Sequence, residues 1–432
     1  MSAMRKHHWA LSLALAGCLA VFISFVAGGI SRLEKETDYV PGQVLLKFRS
    51  WVPVWRRVAA LSNVRSRAVS RITRLDVFVV QIPDEAKVED MVTAFNRNPD
   101  IEYAEPNHIF RAAVTPNDIY FKYQYALFNK GQDIDWVPGG PQGKPSADIK
   151  ASSAWEETTG KEDVIIGILD TGVDLTHEDL KNKILPGYDF VNDDPDPTDD
   201  HYHGTMVAGV VGAETNNGRG IAGIAWKGKI LPVKVLNDYG EGRASDIAAG
   251  ISWAVEHGAK ILNLSFAAPS ENITLGTALK DAFENQDVFI AAAAGNDNTV
   301  VYYPAAYEKY VCAVAATDYN DERAVYSNFG AEIDCAAPGE KILTTIPSYL
   351  ITPLAPFPYG YGWGTSMASA HVAGLAALIK SIKPSLKPGQ IMNIIRYSAD
   401  DVNASVYKGK DEFLGYGRIN MEKALVPLKI SN

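Results

Sequence analysis

Long apolar runs, rather than the alternation of half-solvated strands, mark the body of this chain. Residues 164 to 169 (VIIGIL) are apolar throughout and rich in β-branched side chains, the pattern of a strand buried on both faces of a parallel sheet. Such a strand leaves Asp170 at its carboxyl end, where open α/β sheets build their sites. The runs YVCAVAAT and IDCAAPG read as further apolar strands. Two segments of small residues, GTMVAGVVGA after His203 and MASAHVAGLAALIKSI after Ser366, read as buried helices. His203 then opens the first helix. Ser366 sits at the N-terminus of the second, where the dipole and free N–H groups favour a developing negative charge.

The N-terminal part is patterned differently. Ala10 to Ala27 is an uncharged apolar stretch behind Arg5, Lys6, His7 and His8, the arrangement of a targeting segment. A cleaved secretory signal over residues 1–29, with the cut after Gly29, is the first reading. Retention as an anchor of about one membrane span, or lipidation of Cys18 in LAGC, is the alternative. From about Asp38 to Arg111, VPGQVLLKF, LDVFVVQI and IEYAEPNHIF read as strands and VEDMVTAFNRN as an amphipathic helix, together a small α+β unit. Gly131 to Lys150, rich in Gly and Pro, reads as a loop.

Composition sharpens this division. The 432 residues, 47% of them hydrophobic, give room for two or more domains and a large core. Up to Val114 there are 15 Lys and Arg against 11 Asp and Glu, a net of +4; the remainder holds 26 against 40, a net of −14. A basic leader on an acidic body argues against nucleic-acid binding, whose footprint is a basic folded domain. It suits docking of the first part on the second, because opposite fields steer association. Cys312 and Cys335 fall in apolar strands; free thiols and a disulfide are both open, since pairing depends on a Cα separation that sequence does not give.

Four short motifs carry chemistry: Asp170 in ILDTGVD, His203 in HGTMVAG, Asn296 in AAAAGNDN and Ser366 in GTSMASAHVAG. A serine hydroxyl needs an imidazole to take its proton and a carboxylate to hold the imidazole in one tautomer. The oxyanion that follows needs fixed donors, which an Asn carboxamide and the serine N–H supply. Each motif alone reads as a turn or a cap; their conjunction does not. His201 lies two residues from His203, and Gly204 and Thr205 select His203 as the base. The order Asp, His, Ser, with this spacing, resembles the subtilases, the subtilisin or thermitase type of serine endopeptidase, rather than the chymotrypsin or α/β-hydrolase orders.

That resemblance implies an α/β fold, a mostly parallel sheet with helices on both faces, behind a small α+β propeptide. It implies a secreted or cell-envelope endopeptidase made as a self-processing zymogen: a propeptide over 38–113 acting in cis, and a catalytic domain over 114–432, expected to be monomeric. The phrases PGQVLLKF and YAEPN resemble subtilase propeptides, and Thr115, Pro116, Asn117, Asp118 and Tyr120 resemble a mature start. Cleavage is therefore expected after Ala113, with Phe110, Arg111, Ala112 and Ala113 as the product residues. Peptide substrates would add as a strand between Ser265, Phe266, Ala267 and Gly240, Glu241, Gly242. Tyr302 stands where many subtilases have Gly on the pocket floor and implies a shallow pocket. Structural calcium is implied at Asp118, Asp179 and Asn217, with loop carbonyls of TNNGRGIAG, and at a second place formed by Asp193, Asp194, Asp196, Thr198 and Asp200. Met206 and Ala370 replace a frequent His and Pro beside the triad without removing a catalytic group. The alternative from another class is a catalytically silent binding protein of the same fold, which needs a lost triad member. A lipase would need GxSxG where the chain reads GTSMA.

Overall fold

A computed structural model of the chain describes residues 39–108, 114–135, 139–352 and 356–430. These fall into two compact units, one up to residue 108 and the other from residue 114. The leader with Cys18, and the expected processing residues Phe110 to Ala113, lie outside the described residues.

The first unit runs β1 (Tyr39–Phe48), α1 (Val54–Ser62), β2 (Arg67–Ile72), β3 (Val77–Gln81), α2 (Val88–Asn96) and β4 (Ile101–His108). Its strands form one antiparallel sheet in the order β2-β3-β1-β4. Val44, Leu46 and Phe48 occupy alternate positions of β1 and pack with Val80, Ile82, Leu61 and Phe95, the period of two that the sequence shows. Two elements escape that pattern. Every residue of β2 is exposed, so it has no apolar period, and α1 follows Pro53 without a side-chain cap and buries only Leu61.

The second unit contains α3 (Ala151–Ala154), β5 (Ile165–Asp170), β6 (Tyr188–Asp189), α4 (His203–Gly212), β7 (Lys229–Lys234), α5 (Ala244–Glu256), β8 (Ala259–Leu264) and α6 (Ile273–Glu284). There follow β9 (Phe289–Ala293), β10 (Cys312–Thr317), β11 (Cys335–Pro338), β12 (Ile342–Thr345), β13 (Tyr359–Gly362), α7 (Thr365–Ile382), α8 (Pro388–Ser398) and α9 (Met421–Ile430). Seven strands form a sheet in the order β11-β10-β9-β8-β5-β7-β6, and every neighbouring pair is parallel. β12 and β13 pair antiparallel beside it.

Both faces of the large sheet are covered, which is why its strands are apolar without alternation. Ile166, Ile168, Ile230, Ile261, Phe289 and Val314 pack in one cluster with residues of α4 and α7. Their neighbours Leu169, Leu231, Leu262 and Ile290 pack in another with residues of α5 and α6. The tightest fit is at α7, in which every residue from Thr365 to Ser381 is buried. The chain adds β6 and β7 on one side of β5 and then β8 to β11 on the other. This reversal leaves a crevice beyond the carboxyl end of β5.

Candidate active site

Asp170 ends β5 and is fully buried. Its Oδ1 accepts from the Thr171 N–H at 2.8 Å and meets His203 Nδ1 at 2.7 Å, while Oδ2 has no partner among the described residues. His203 opens α4 with its side chain 23% exposed. Burial works against its charged form, but the charge and hydrogen bond of Asp170, with Asp199 behind, outweigh it and hold the imidazole pKa above the usual histidine value. A carboxylate at Nδ1 selects the tautomer that donates there and leaves Nε2 as the acceptor.

Ser366 is the second residue of α7, behind Gly364 at φ 119°. Its Oγ donates to Ser265 O at 2.9 Å, just past β8, and no hydrogen bond joins it to His203 among the described residues. Asn296 lies beyond β9, and its Oδ1 accepts from Thr365 N at 2.8 Å and Thr365 Oγ1 at 3.0 Å. Two donors on one oxygen fix the carboxamide, so that Nδ2 is the end left to donate. The fold thus gathers Asp170 with His203, and Asn296 with the first residue of the Ser366 helix.

The substrate-binding candidates border this place. Ser265 is buried, Phe266 half-buried and Ala267 exposed. Ala268, next along, is already paired with Tyr303 through N–H to O distances of 2.7 and 2.9 Å. Gly240, Glu241 and Gly242 form a tight turn in which Asn237 N donates to Glu241 O at 2.9 Å and Gly240 N to Asn237 O at 2.9 Å. Tyr302 is half-buried, its N–H bonded to Ala294 O at 3.0 Å. A β-carbon on Gly295 would fall 3.1 Å from Tyr302 Cδ2, so the ring lies against the turn that presents Asn296.

The two calcium candidates differ. Asp118 and Asp179 are buried without a lysine or arginine partner among the described residues. Burial pushes Asp118 up to about 6, opposed by the N–H groups of Asn216 and Asn217 and assisted by the Asp179 charge. Asp179 is raised as well, chiefly by burial. Asn217 Nδ2 donates to Asp179 Oδ1 at 2.8 Å. Two buried carboxylates that disfavour each other, with a carboxamide and a loop beside them, fit a hard divalent cation. The second set is not gathered in this way. Asp200 Oδ1 takes the Lys234 ammonium at 2.6 Å, Asp193 accepts from Tyr188 Oη, and Asp194 and Asp196 cap the local turn, Thr198 donating to Asp196. The positive charge there is supplied by the chain itself. Among the described residues, no three His, Cys, Asp or Glu side chains gather as a metal group. Cys312 and Cys335 are free thiols, buried, with Sγ atoms 3.9 Å apart.

Residues 161–417 match the subtilase family, and residues 27–107 match the fervidolysin N-terminal prodomain. The chain is 40% identical to a thermophilic serine proteinase from Bacillus sp. (strain AK1), across 91% of this chain and 89% of that one. It is 38% identical to thermitase from Thermoactinomyces vulgaris, across 72% of this chain and 99% of that one. A solved protease structure from Pseudoalteromonas arctica superimposes with a TM-score of 0.62 at 32% identity, covering 73% of this chain and 99% of that one. Relatives include a cell wall-associated protease of Bacillus subtilis and an extracellular protease of Xanthomonas campestris; no described helix is long and apolar enough to cross a membrane. The chain therefore belongs to the subtilase family and is a serine endopeptidase with an N-terminal prodomain.

Proposed function

We propose that Ser366 is the nucleophile of this endopeptidase, His203 its general base and then acid, and Asp170 the group that orients the imidazole. Asn296 Nδ2 and the Ser366 N–H bind the oxyanion. The observation that carries this is the 2.7 Å Asp170–His203 contact at the carboxyl end of β5. As a peptide binds, the Ser366 hydroxyl leaves Ser265 O and gives its proton to His203 Nε2, while Oγ bonds to the scissile carbonyl carbon. The C–N bond then breaks, and the amine leaves with that proton. Water repeats the sequence on the acyl-enzyme and frees the acid. Labelling by phenylmethylsulfonyl fluoride, located by peptide mass spectrometry, tests the assignment: the adduct is expected on Ser366, and an adduct elsewhere overturns it.

Peptides add as a strand between Ser265–Ala267 and Gly240–Gly242, and Tyr302 restricts the residue before the scissile bond to small side chains. Residues 38–113 are the inhibitory prodomain, removed after Ala113, and 114–432 the catalytic domain, acting as an exported monomer. The leader is cleaved, or else it anchors the chain or carries lipid at Cys18.

Calcium is held at Asp118, Asp179 and Asn217 in a structural role, since bound cation would relieve two carboxylates that burial disfavours. Chelation is expected to lower the melting temperature by mass action. An unchanged melting curve for Asp179→Ala with and without added calcium, beside a calcium-dependent wild type, would locate the site.

A further inference from the structure

The acidic loop before α4 holds one aspartate that solvent does not reach. Asp199 is 1% exposed. Its Oδ1 accepts from Thr171 Oγ1 at 2.8 Å, Tyr202 N at 2.9 Å and His201 N at 3.0 Å. Its Oδ2 accepts from Thr205 Oγ1 at 2.6 Å and Thr205 N at 2.9 Å. No lysine or arginine pairs with it among the described residues, so these five donors are what satisfy its oxygens in a buried place.

The donors surround the reacting pair in sequence. Thr171 follows Asp170, Tyr202 precedes His203, and Thr205 comes two residues after it. Because both threonines give their hydroxyl hydrogens to Asp199, their lone pairs are turned outward. Thr171 Oγ1 takes the Gly204 N–H at 2.9 Å, and Thr205 Oγ1 takes the Asp174 N–H at 2.9 Å. The first turn of α4 is thereby tied to the end of β5. It needs that tie, because the residue at its N-cap position, Tyr202, has φ 113° and makes no side-chain cap. An L-residue in that region persists only where its surroundings over-determine it.

We propose that Asp199 is a positioning residue for the Asp170–His203 pair, capping α4 from outside the helix and fixing where the imidazole enters the site. The proposal rests on the reading of His203 as the general base. Electrostatics point the same way. The groups facing His203 are Asp170 from β5 and Asp199 and His201 from its own loop, while the Lys234 ammonium of β7 is spent on Thr171 O, Leu236 O and Asp200. A helix N-terminus disfavours an imidazolium, and the Asp199 charge opposes that.

The test compares wild type with Asp199→Asn, Thr171→Val and His203→Ala, each freed of its prodomain in trans by an added protease that is then removed, measuring kcat, KM and the acid limb of kcat/KM on a peptide anilide. Asp199→Asn is expected to lower kcat by about a hundredfold, the cost of misplacing a reacting group by an ångström, with KM little changed. Its acid limb should move to lower pH, because the imidazolium loses a supporting charge. Thr171→Val keeps the charge and breaks the tie to Gly204, so kcat should fall with the limb unmoved. If Asp199→Asn folds with wild-type kcat and limb while His203→Ala is inactive, the positioning role fails and the base assignment stands. Activity in His203→Ala would instead overturn the base assignment and this proposal with it. Should Asp199→Asn not fold, an unchanged kcat in Thr171→Val overturns the proposal.

Discussion

The two helices that open onto the site begin in the same unusual way and are held by different means. Tyr202 precedes α4 at φ 113° and Gly364 precedes α7 at φ 119°, and neither position carries a side-chain cap. At Gly364 the backbone is free to adopt that angle, and a β-carbon would sit 3.2 Å from Asn296 Nδ2. At Tyr202 the chain keeps a side chain, stacked on His201 with ring centroids 4.3 Å apart. There the conformation is secured by the hydrogen bond from Tyr202 N to Asp199. The contrast separates two demands. The serine side needs empty space beside the Asn296 carboxamide, which only glycine leaves, whereas the histidine side needs a fixed ring, which a buried anchor provides.

The contrast is sharpened first at the reacting atoms. Ser366→Ala and His203→Ala are each expected to lower kcat by roughly a million-fold, the scale of loss when one member of a subtilisin triad is removed, read on purified enzyme free of other proteases. Asn296→Ala should lower kcat by about a hundred- to a thousandfold with KM nearly constant, since the oxyanion exists only along the reaction path. Gly364→Ala tests the glycine side directly. Forcing a side chain to φ 119° costs about 1–3 kcal/mol, so a lower melting temperature and slower turnover are expected together; a variant of wild-type stability and rate would break the contrast drawn above.

The smallest expected effect is a displacement along the pH axis. With His203 as the proposed base, turnover needs the neutral imidazole, whose pKa is held above the usual value of about 6.5 because Asp170 and Asp199 outweigh the burial that disfavours its charge. Activity should therefore rise with pH through a point above that value, and Asp170→Asn should bring the point down. Stability runs the other way. A folded-state pKa raised in this sense contributes stability fully below the unfolded value, and that contribution fades as pH climbs through the folded one. Parallel profiles of rate and of melting temperature check both signs.

Much of the large unit is legible in the sequence because its apolar runs have one cause, burial on both faces. The strand built on VIIGIL ends at Asp170, and the small-residue helices begin at His203 and Thr365, as their patterns imply. What escapes is whatever leaves no apolar period. β2 is solvated at every position, and the rotamer that sends Ser366 Oγ to Ser265 O depends on a strand a hundred residues away in sequence. The acidic loop resists reading for a related reason. Five of its polar residues match a metal pattern, yet Asp200 is paired with a lysine from β7, and the aspartate tied to the site, Asp199, is the one the pattern passes over. Sequence alone does not distinguish a solvated carboxylate from one with five donors.

The placement of Ser366 on the most deeply enclosed helix has a practical consequence for how this enzyme dies. Seventeen consecutive residues of α7 are buried, so the segment bearing Ser366 cannot loosen without opening the centre of its domain. Its amide hydrogens should exchange among the slowest in the chain, at rates set by global opening rather than local fraying. Heat inactivation should then coincide with the loss of the whole domain, leaving no partially melted species that can still cut its neighbours.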